Sequence, residues 1–204
     1  MPEKVGNSIE SMSTYREIAR IHMQCISQGF LPALGEHFLS LLYQSLDADP
    51  NSVLFIERIN GQVVGFVAGG RGARLIYRQI MKRLPIFLLA LLPSVFNPRK
   101  LKRIIEIVYF SFKKKPTLVY PNAELYSIAV SESARRNGVA VRLYEALKQH
   151  FVASGEDAFC IVVGGNLSTA HSFYQRMGCV PIGQVSVHEG QVSIIYRHDL
   201  SITT

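Results

Sequence analysis

The sequence predicts an α/β (α+β) fold, and three observations carry that expectation. Two amphipathic helical segments come first, a hairpin signal follows, and a β-branched strand further on feeds a helix that opens on glycine. Residues 15–24 and 34–46 place apolar side chains at helical spacing: Ile18 and Ile21 in the first, Phe38, Leu41, Leu42 and Leu46 in the second. Gly29-Phe30-Leu31-Pro32 breaks the chain between them. Residues 52–58 and 62–68 alternate or run apolar around Asn60-Gly61, and Asn-Gly between two such runs is a strong hairpin signal because both residues tolerate positive φ. Glu124-Leu125-Tyr126-Ser127-Ile128-Ala129-Val130 is the next strand, and period-two alternation puts Glu124, Tyr126, Ile128 and Val130 on one face. The polar turn Ser131-Glu132-Ser133-Ala134 leads into the glycine-containing helix. A strand–helix pair follows, and Val192-Ser193-Ile194-Ile195-Tyr196 reads as a closing strand after a Glu189-Gly190 turn.

At 204 residues the chain suits a single domain, 1–204, able to bury a core. A hydrophobic share of 48% with 18% charged residues excludes intrinsic disorder. Three cysteines, Cys25, Cys160 and Cys179, are odd in number and without metal or disulfide spacing, and Cys160 and Cys179 read as structural thiols in strand-like apolar runs. No His, Cys or carboxylate cluster has metal-ligand spacing, so no metal is expected. Residues 1–14 are polar and lack a basic-then-apolar leader, so the expected location is cytoplasmic.

The strand that feeds Arg135-Arg136-Asn137-Gly138-Val139-Ala140-Val141-Arg142 makes an anion site. The first turn of a helix leaves amides without partners, and the macrodipole adds positive potential there. Gly138 allows close approach to the backbone, Ala140 nearly so, and Arg135, Arg136 and Arg142 add charge suited to a pyrophosphate or 3′-phosphate. A P-loop is excluded because no Gly-Lys-Ser/Thr follows, and a dinucleotide fold because G-x-G-x-x-G is missing. Arg135 to Ala140 fits the Q/R-x-x-G-x-G/A signature of the GNAT acyltransferase superfamily, which the chain resembles. Ser127-Ile128-Ala129-Val130 is similar to that family's fourth strand, and Ala170-His171-Ser172-Phe173-Tyr174-Gln175-Arg176-Met177-Gly178-Cys179 to its A-x-x-F-Y-x-x-x-G-F helix. The resemblance implies a mixed, twisted sheet of about six to seven strands flanked by helices, and acetyl-CoA as cosubstrate. Ile128, Ala129 and Val130 would pair with the pantetheine arm, Arg135 to Val141 would hold the pyrophosphate, and Ala170 and Phe173 would line the arm. The family's asparagine before that helix falls at Leu167 here, with Asn166 one residue earlier as the candidate replacement, and Cys179 stands where phenylalanine is usual.

Against that pattern, residues 71–120 form an insertion between the third and fourth strands, expected to be mainly helical. It holds twelve basic residues and one acidic residue, Glu106, while the whole chain nets +7, so the remainder of the molecule is acidic. The apolar run at 84–96, cut by Pro85 and Pro93, is too short to span a bilayer. It reads either as a lid over the acceptor side or as an apolar face on an anionic membrane with lysines at the headgroups, and the lid is preferred. Nucleic acid is not expected as a partner, since no reading motif accompanies the charge.

Acyl transfer to an amine requires loss of an amine proton and donors for the oxyanion and the departing thiolate. No nucleophilic triad or cysteine motif is present, and the resemblance implies direct attack in a ternary complex. It places Tyr174 as the acid that protonates the thiolate; the alternative is a core aromatic. Glu124 is the candidate base, with Tyr126 beside it; the alternatives are an exposed strand-end glutamate and, as the resemblance also allows, an ordered water chain in its place. Phe30, Leu31 and Tyr126 are expected to line the acceptor cleft. His171 reads as a solvated helix residue, and His22 and His37 as residues near that cleft without an assigned role. The expected acceptor is a primary amine, on a small molecule or amino sugar, with a protein N-terminus second. A non-catalytic acyl-CoA-binding or peripheral membrane module is the reading from another class, and a homodimer is an expected assembly.

Overall fold

The computed structural model describes residues 1–6, 12–26, 31–72, 120–188 and 191–200. Among them, seven strands form one sheet in the order β1-β2-β3-β4-β5-β7-β6. The elements are β1 (Glu3–Lys4), α1 (Met12–Cys25), α2 (Glu36–Asp47), β2 (Ser52–Ile59), β3 (Gln62–Arg71), β4 (Ala123–Val130), α3 (Val139–Ala153), β5 (Ala158–Gly164), α4 (Ser168–Arg176), β6 (Val180–His188) and β7 (Gln191–Asp199), with single 3-10 turns at Leu31–Leu34 and Glu132–Ala134. All neighbours run antiparallel except β4 and β5. The mixed sheet flanked by helices is therefore as expected, and β1, too short for any periodicity, is an addition. Of the insertion, residues 73–119 lie outside the described residues, as does Phe30.

The hairpin forms where Asn60-Gly61 predicts it, with φ of 53° and 79° at the two turn residues. Each face of the sheet buries its own core. On one side α1 and α2 pack Ile18, Leu39, Tyr43 and Leu46 onto Leu54, Ile56, Phe66 and Ala68. On the other, α3 packs Val139, Leu143, Tyr144, Leu147 and Phe151 onto Val53, Val67, Leu125 and Phe159. Alternation along β2 and β3 feeds the two layers in turn. Gly65 and Gly69 of β3 let α3 lie close to the sheet: a Cβ at Gly65 would stand 3.1 Å from Val139 and Leu143, and one at Gly69 2.8 Å from Leu147. Replacing Tyr144 or Phe151 by alanine removes a fully buried ring from this layer and is worth about 3–5 kcal/mol.

Candidate active site

Two departures from regular pairing along β4 shape the site. The first is a bulge: Gly69 pairs with Leu125 and Ala68 with Ser127, so Tyr126 has no partner on β3. A bulge adds a residue and shifts the alternation by one. Leu125, Ile128 and Val130 accordingly belong to the α3 layer, whereas Tyr126 and Ala129 pack with α1 and α2. The expectation that Glu124, Tyr126, Ile128 and Val130 share a face is thus corrected. Glu124, opposite Gly70, lies on the α1/α2 side with Tyr126, and Ile128 and Val130 lie on the other.

The second departure is a splay. β4 pairs with β5 only through Ala123↔Phe159, Glu124↔Cys160 and Leu125↔Ile161. Past that rung β4 remains paired to β3 as far as Val130, and β5 to β7 as far as Gly164. Among the described residues no strand lies between the facing edges of 126–130 and 162–164. At about 3.3 Å per residue the wedge is about 16 Å deep along β4. An extended amide-bearing arm can add there as a strand does, hydrogen-bonding to the free backbone.

The wedge opens toward the loop 131–138 and the start of α3. Arg136 (φ 65°) and Gly138 (φ 72°) are both left-handed, and Gly138 caps α3 with no side-chain hydrogen bond. Arg142 N–H donates to Gly138 O at 3.0 Å as the first bond of the helix, so the amides of Val139, Ala140 and Val141 ahead of it are the orphan donors of an open N-terminus. Arg135, Arg136, Asn137 and Gly138 are exposed around it. This is an anion cradle of backbone N–H groups and positive dipole.

Arg142 does not serve as the sequence suggests. Its Nε and Nη2 chelate the buried Glu57 of β2, with the closest contact 2.6 Å, and its Nη1 donates to Asn137 O at 2.9 Å. Its charge is committed to Glu57, and the hydrogen bond to Asn137 anchors the loop to the sheet. Arg135 stays exposed, its guanidinium 3.8 Å from the Cys25 thiol, which donates to Val130 O at 3.3 Å.

Tyr174 of α4 packs its ring against Tyr144, Phe173 and Tyr196 and is 6% exposed. Burial holds its phenol well above the ordinary range, so it is protonated at neutral pH. Among the described residues its hydroxyl makes no hydrogen bond, yet it is not among the sealed polar atoms that lack a partner. Ala170 and Phe173 are partly buried against the same layer, and Asn166 is exposed just past the end of β5. Burial, with the Glu124 charge as the next cause, also raises the Tyr126 phenol. Leu31 is exposed on the 3-10 turn ahead of α2.

The histidines correct the sequence reading. His171 is not a solvated helix residue: Gly164 O accepts from its Nε2 at 3.1 Å, which leaves Nδ1 to accept from the Tyr196 hydroxyl at 3.0 Å. It ties α4 to the end of β5 and to the middle of β7. His22 is 2% exposed within the α1/α2 layer. Cys160 is buried in β5 as expected, whereas Cys179 lies between α4 and β6, its Sγ 3.0 Å from the Tyr144 hydroxyl. No group of three metal-ligating side chains occurs among the described residues.

A sheet split between two parallel central strands, above an uncapped helix N-terminus, is a site able to take an extended arm that ends in an anion. The acetyltransferase (GNAT) family profile matches residues 16–179, and the chain belongs to that family. No curated protein matches it in sequence. Among solved structures it is similar to an N-acetyltransferase from Staphylococcus aureus Mu50 (16% identity, TM-score 0.62, 98% of each chain covered). It is also similar to the ribosomal-protein-S18-alanine N-acetyltransferase from Escherichia coli (13% identity, TM-score 0.59, covering 100% of this chain and 97% of that one). A third is an aminoglycoside 6′-N-acetyltransferase complexed with coenzyme A (10% identity, TM-score 0.62, covering 98% and 97%). At these identities the likeness is one of fold, and the chain is an acyltransferase by its family.

Proposed function

We propose that the chain transfers an acetyl group from acetyl-CoA to a primary amine by direct attack in a ternary complex. The observation that carries this reading is the splay of β4 from β5 beyond Leu125, opening onto the uncapped start of α3. The pyrophosphate meets the amides of 139–141 with Arg135 and Arg136 around it, and the pantetheine arm pairs along Ile128 to Val130. Glu124 takes the amine proton, directly or through water, and Tyr174 protonates the thiolate. Acetyl-CoA supplies the activated acyl group, and every other element is this chain's own.

The insertion bears on the acceptor. Gly72 N–H donates to Asn122 O at 2.8 Å, and Arg71 pairs with Ala123, so the chain leaves and rejoins the sheet at one end of β4. The phosphate cradle lies beyond the other end, about 26 Å away at 3.3 Å per residue. The segment that carries eleven of the twelve basic residues between 71 and 120 therefore joins the sheet at the end of β4 away from the phosphate cradle. That favours a small amine or amino sugar on an anionic carrier, such as a diphosphate-linked sugar, over a neutral one. A protein N-terminus and an anionic cytoplasmic membrane surface are the competing acceptor and partner.

Titration of the purified protein with acetyl-CoA tests the reading directly. A stoichiometric binding isotherm and a rise in melting temperature are expected. Absence of both at millimolar ligand overturns it.

A further inference from the structure

Three polar side chains from three elements form a chain inside the α1/α2 layer that the proposed reaction leaves unused. His22 of α1 stacks on Phe66 with centroids 6.3 Å apart at 14°. Its Nδ1 lies 2.6 Å from the Tyr43 hydroxyl of α2. That hydroxyl lies 3.1 Å from Oγ of Ser127. Tyr43 is 1% exposed and His22 2%, so neither meets solvent, whereas Ser127 is half-buried. Ser127 is the first residue of β4 after the bulged Tyr126, paired to Ala68 on one side and past the last rung with β5 on the other. The chain therefore ends where the wedge begins.

Counting protons fixes its direction. Burial pushes the His22 imidazole down to about 4, so at neutral pH the ring is uncharged and carries one N–H. Its Nε2 is buried with no partner among the described residues. A buried orphan donor is rarer and costlier than a buried orphan acceptor, so the proton belongs on Nδ1. Nδ1–H then donates to Tyr43. The Tyr43 phenol, held well above its ordinary range by burial, keeps its own proton and passes a hydrogen bond to Ser127. The Ser127 O–H is left to donate outward. Head-to-tail donors polarise one another, by about 10–30% per bond.

We propose that the Ser127 hydroxyl donates to the thioester carbonyl oxygen of the bound acyl-CoA, and that Tyr43 and His22 are the positioning residues that aim it. The inference rests on the acetyl-CoA reading above. In the step it serves, the amine lone pair forms the C–N bond and the carbonyl π pair moves onto oxygen. Ser127 holds that oxyanion by a hydrogen bond without giving up its proton. Collapse of the adduct breaks the C–S bond, the thiolate taking a proton from Tyr174 and the amine releasing its own to Glu124. A donor lost at such a position lowers turnover by about 100-fold or more.

The test uses acetyl-CoA labelled with 13C at the carbonyl, bound to the full chain, with the carbonyl stretch read by infrared difference spectroscopy; no acceptor is needed. In the wild type the stretch falls below that of free acetyl-CoA. In Ser127→Ala it returns toward the free value while acetyl-CoA affinity stays within about twofold, and Ser127→Thr, which keeps the hydroxyl, restores the shift. Tyr43→Phe gives a partial return alone and none beyond that of Ser127→Ala when combined with it. Nitrogen-15 shifts of His22 report Nδ1 as the protonated nitrogen. An unchanged stretch in Ser127→Ala, additivity of the two substitutions, or an Nε2–H tautomer overturns the inference alone. Wild-type protein that fails to bind acetyl-CoA overturns the functional reading, and this inference with it.

Discussion

The two ends of β4 share one strand and one neighbour, β3, yet they do different work. At Ala123 to Leu125 the strand is paired on both sides and its backbone groups are spent on the sheet. At Ile128 to Val130 it is paired on one side, and its other edge pairs with no strand among the described residues. The transition falls at Tyr126, where a single extra residue turns the side chains over and coincides with the departure of β5. The closed end contributes rigidity and the open end contributes hydrogen-bonding capacity, and the bulge lets both exist on one strand.

That division can be broken most severely from the open end. Tyr174→Phe removes a hydroxyl without disturbing the ring packing against Tyr144 and Tyr196. Thiol release should fall about 100-fold or more, with the melting temperature and acetyl-CoA affinity held. A variant that retains full turnover would leave water as the proton source.

Acid should separate the α1/α2 layer from the rest. His22 titrates at about 4 folded and 6.5 when released from burial. Between those values the unfolded chain binds a proton that the folded chain refuses, so stability present above pH 6.5 is lost as pH falls toward 4. The ceiling is about 3 kcal/mol at 1.36 kcal/mol per unit. His150 and His198, both lowered chiefly by burial, act in the same sense. Melts of wild type and His22→Asn between pH 7 and 4.5 should show a shallower slope for the variant; equal slopes would remove His22 as the cause.

The smallest expected effect lies at the closed end. A Cβ at Gly70 would stand 2.4 Å from Asn51 O and 2.8 Å from the Ser52 Cα, both backbone, so Gly70→Ala forces the start of β2 to move. About 2 kcal/mol of stability should be lost by denaturant unfolding, with acetyl-CoA affinity unchanged. A large loss of affinity instead would mean that the two ends are coupled through the bulge.

Local signals were legible and pairings were not. Asn60-Gly61 and Gly138 announce the hairpin and the open helix start because each meets its backbone requirement within two residues. The bulge at Tyr126 is a mismatch between two strands and has no trace in either alone, which is why alternation assigned Ile128 and Val130 to the wrong face. The Glu57–Arg142 pair spans 85 positions and Tyr43–Ser127 spans 84, so neither partnership shows in the sequence, and Arg142 reads there as charge for the anion site. The composition of the insertion was plain, but composition names a charge and not the molecule that meets it.

The amide-to-carbonyl contact between Gly72 and Asn122 carries a consequence of its own. Because the backbone departs and returns at one end of β4, the length of chain between those two points can change without altering the register of any strand. Such a joint behaves like a socket: segments of other lengths and charges could be plugged in while the splay of β4 from β5, a strand's length distant, keeps its pairing.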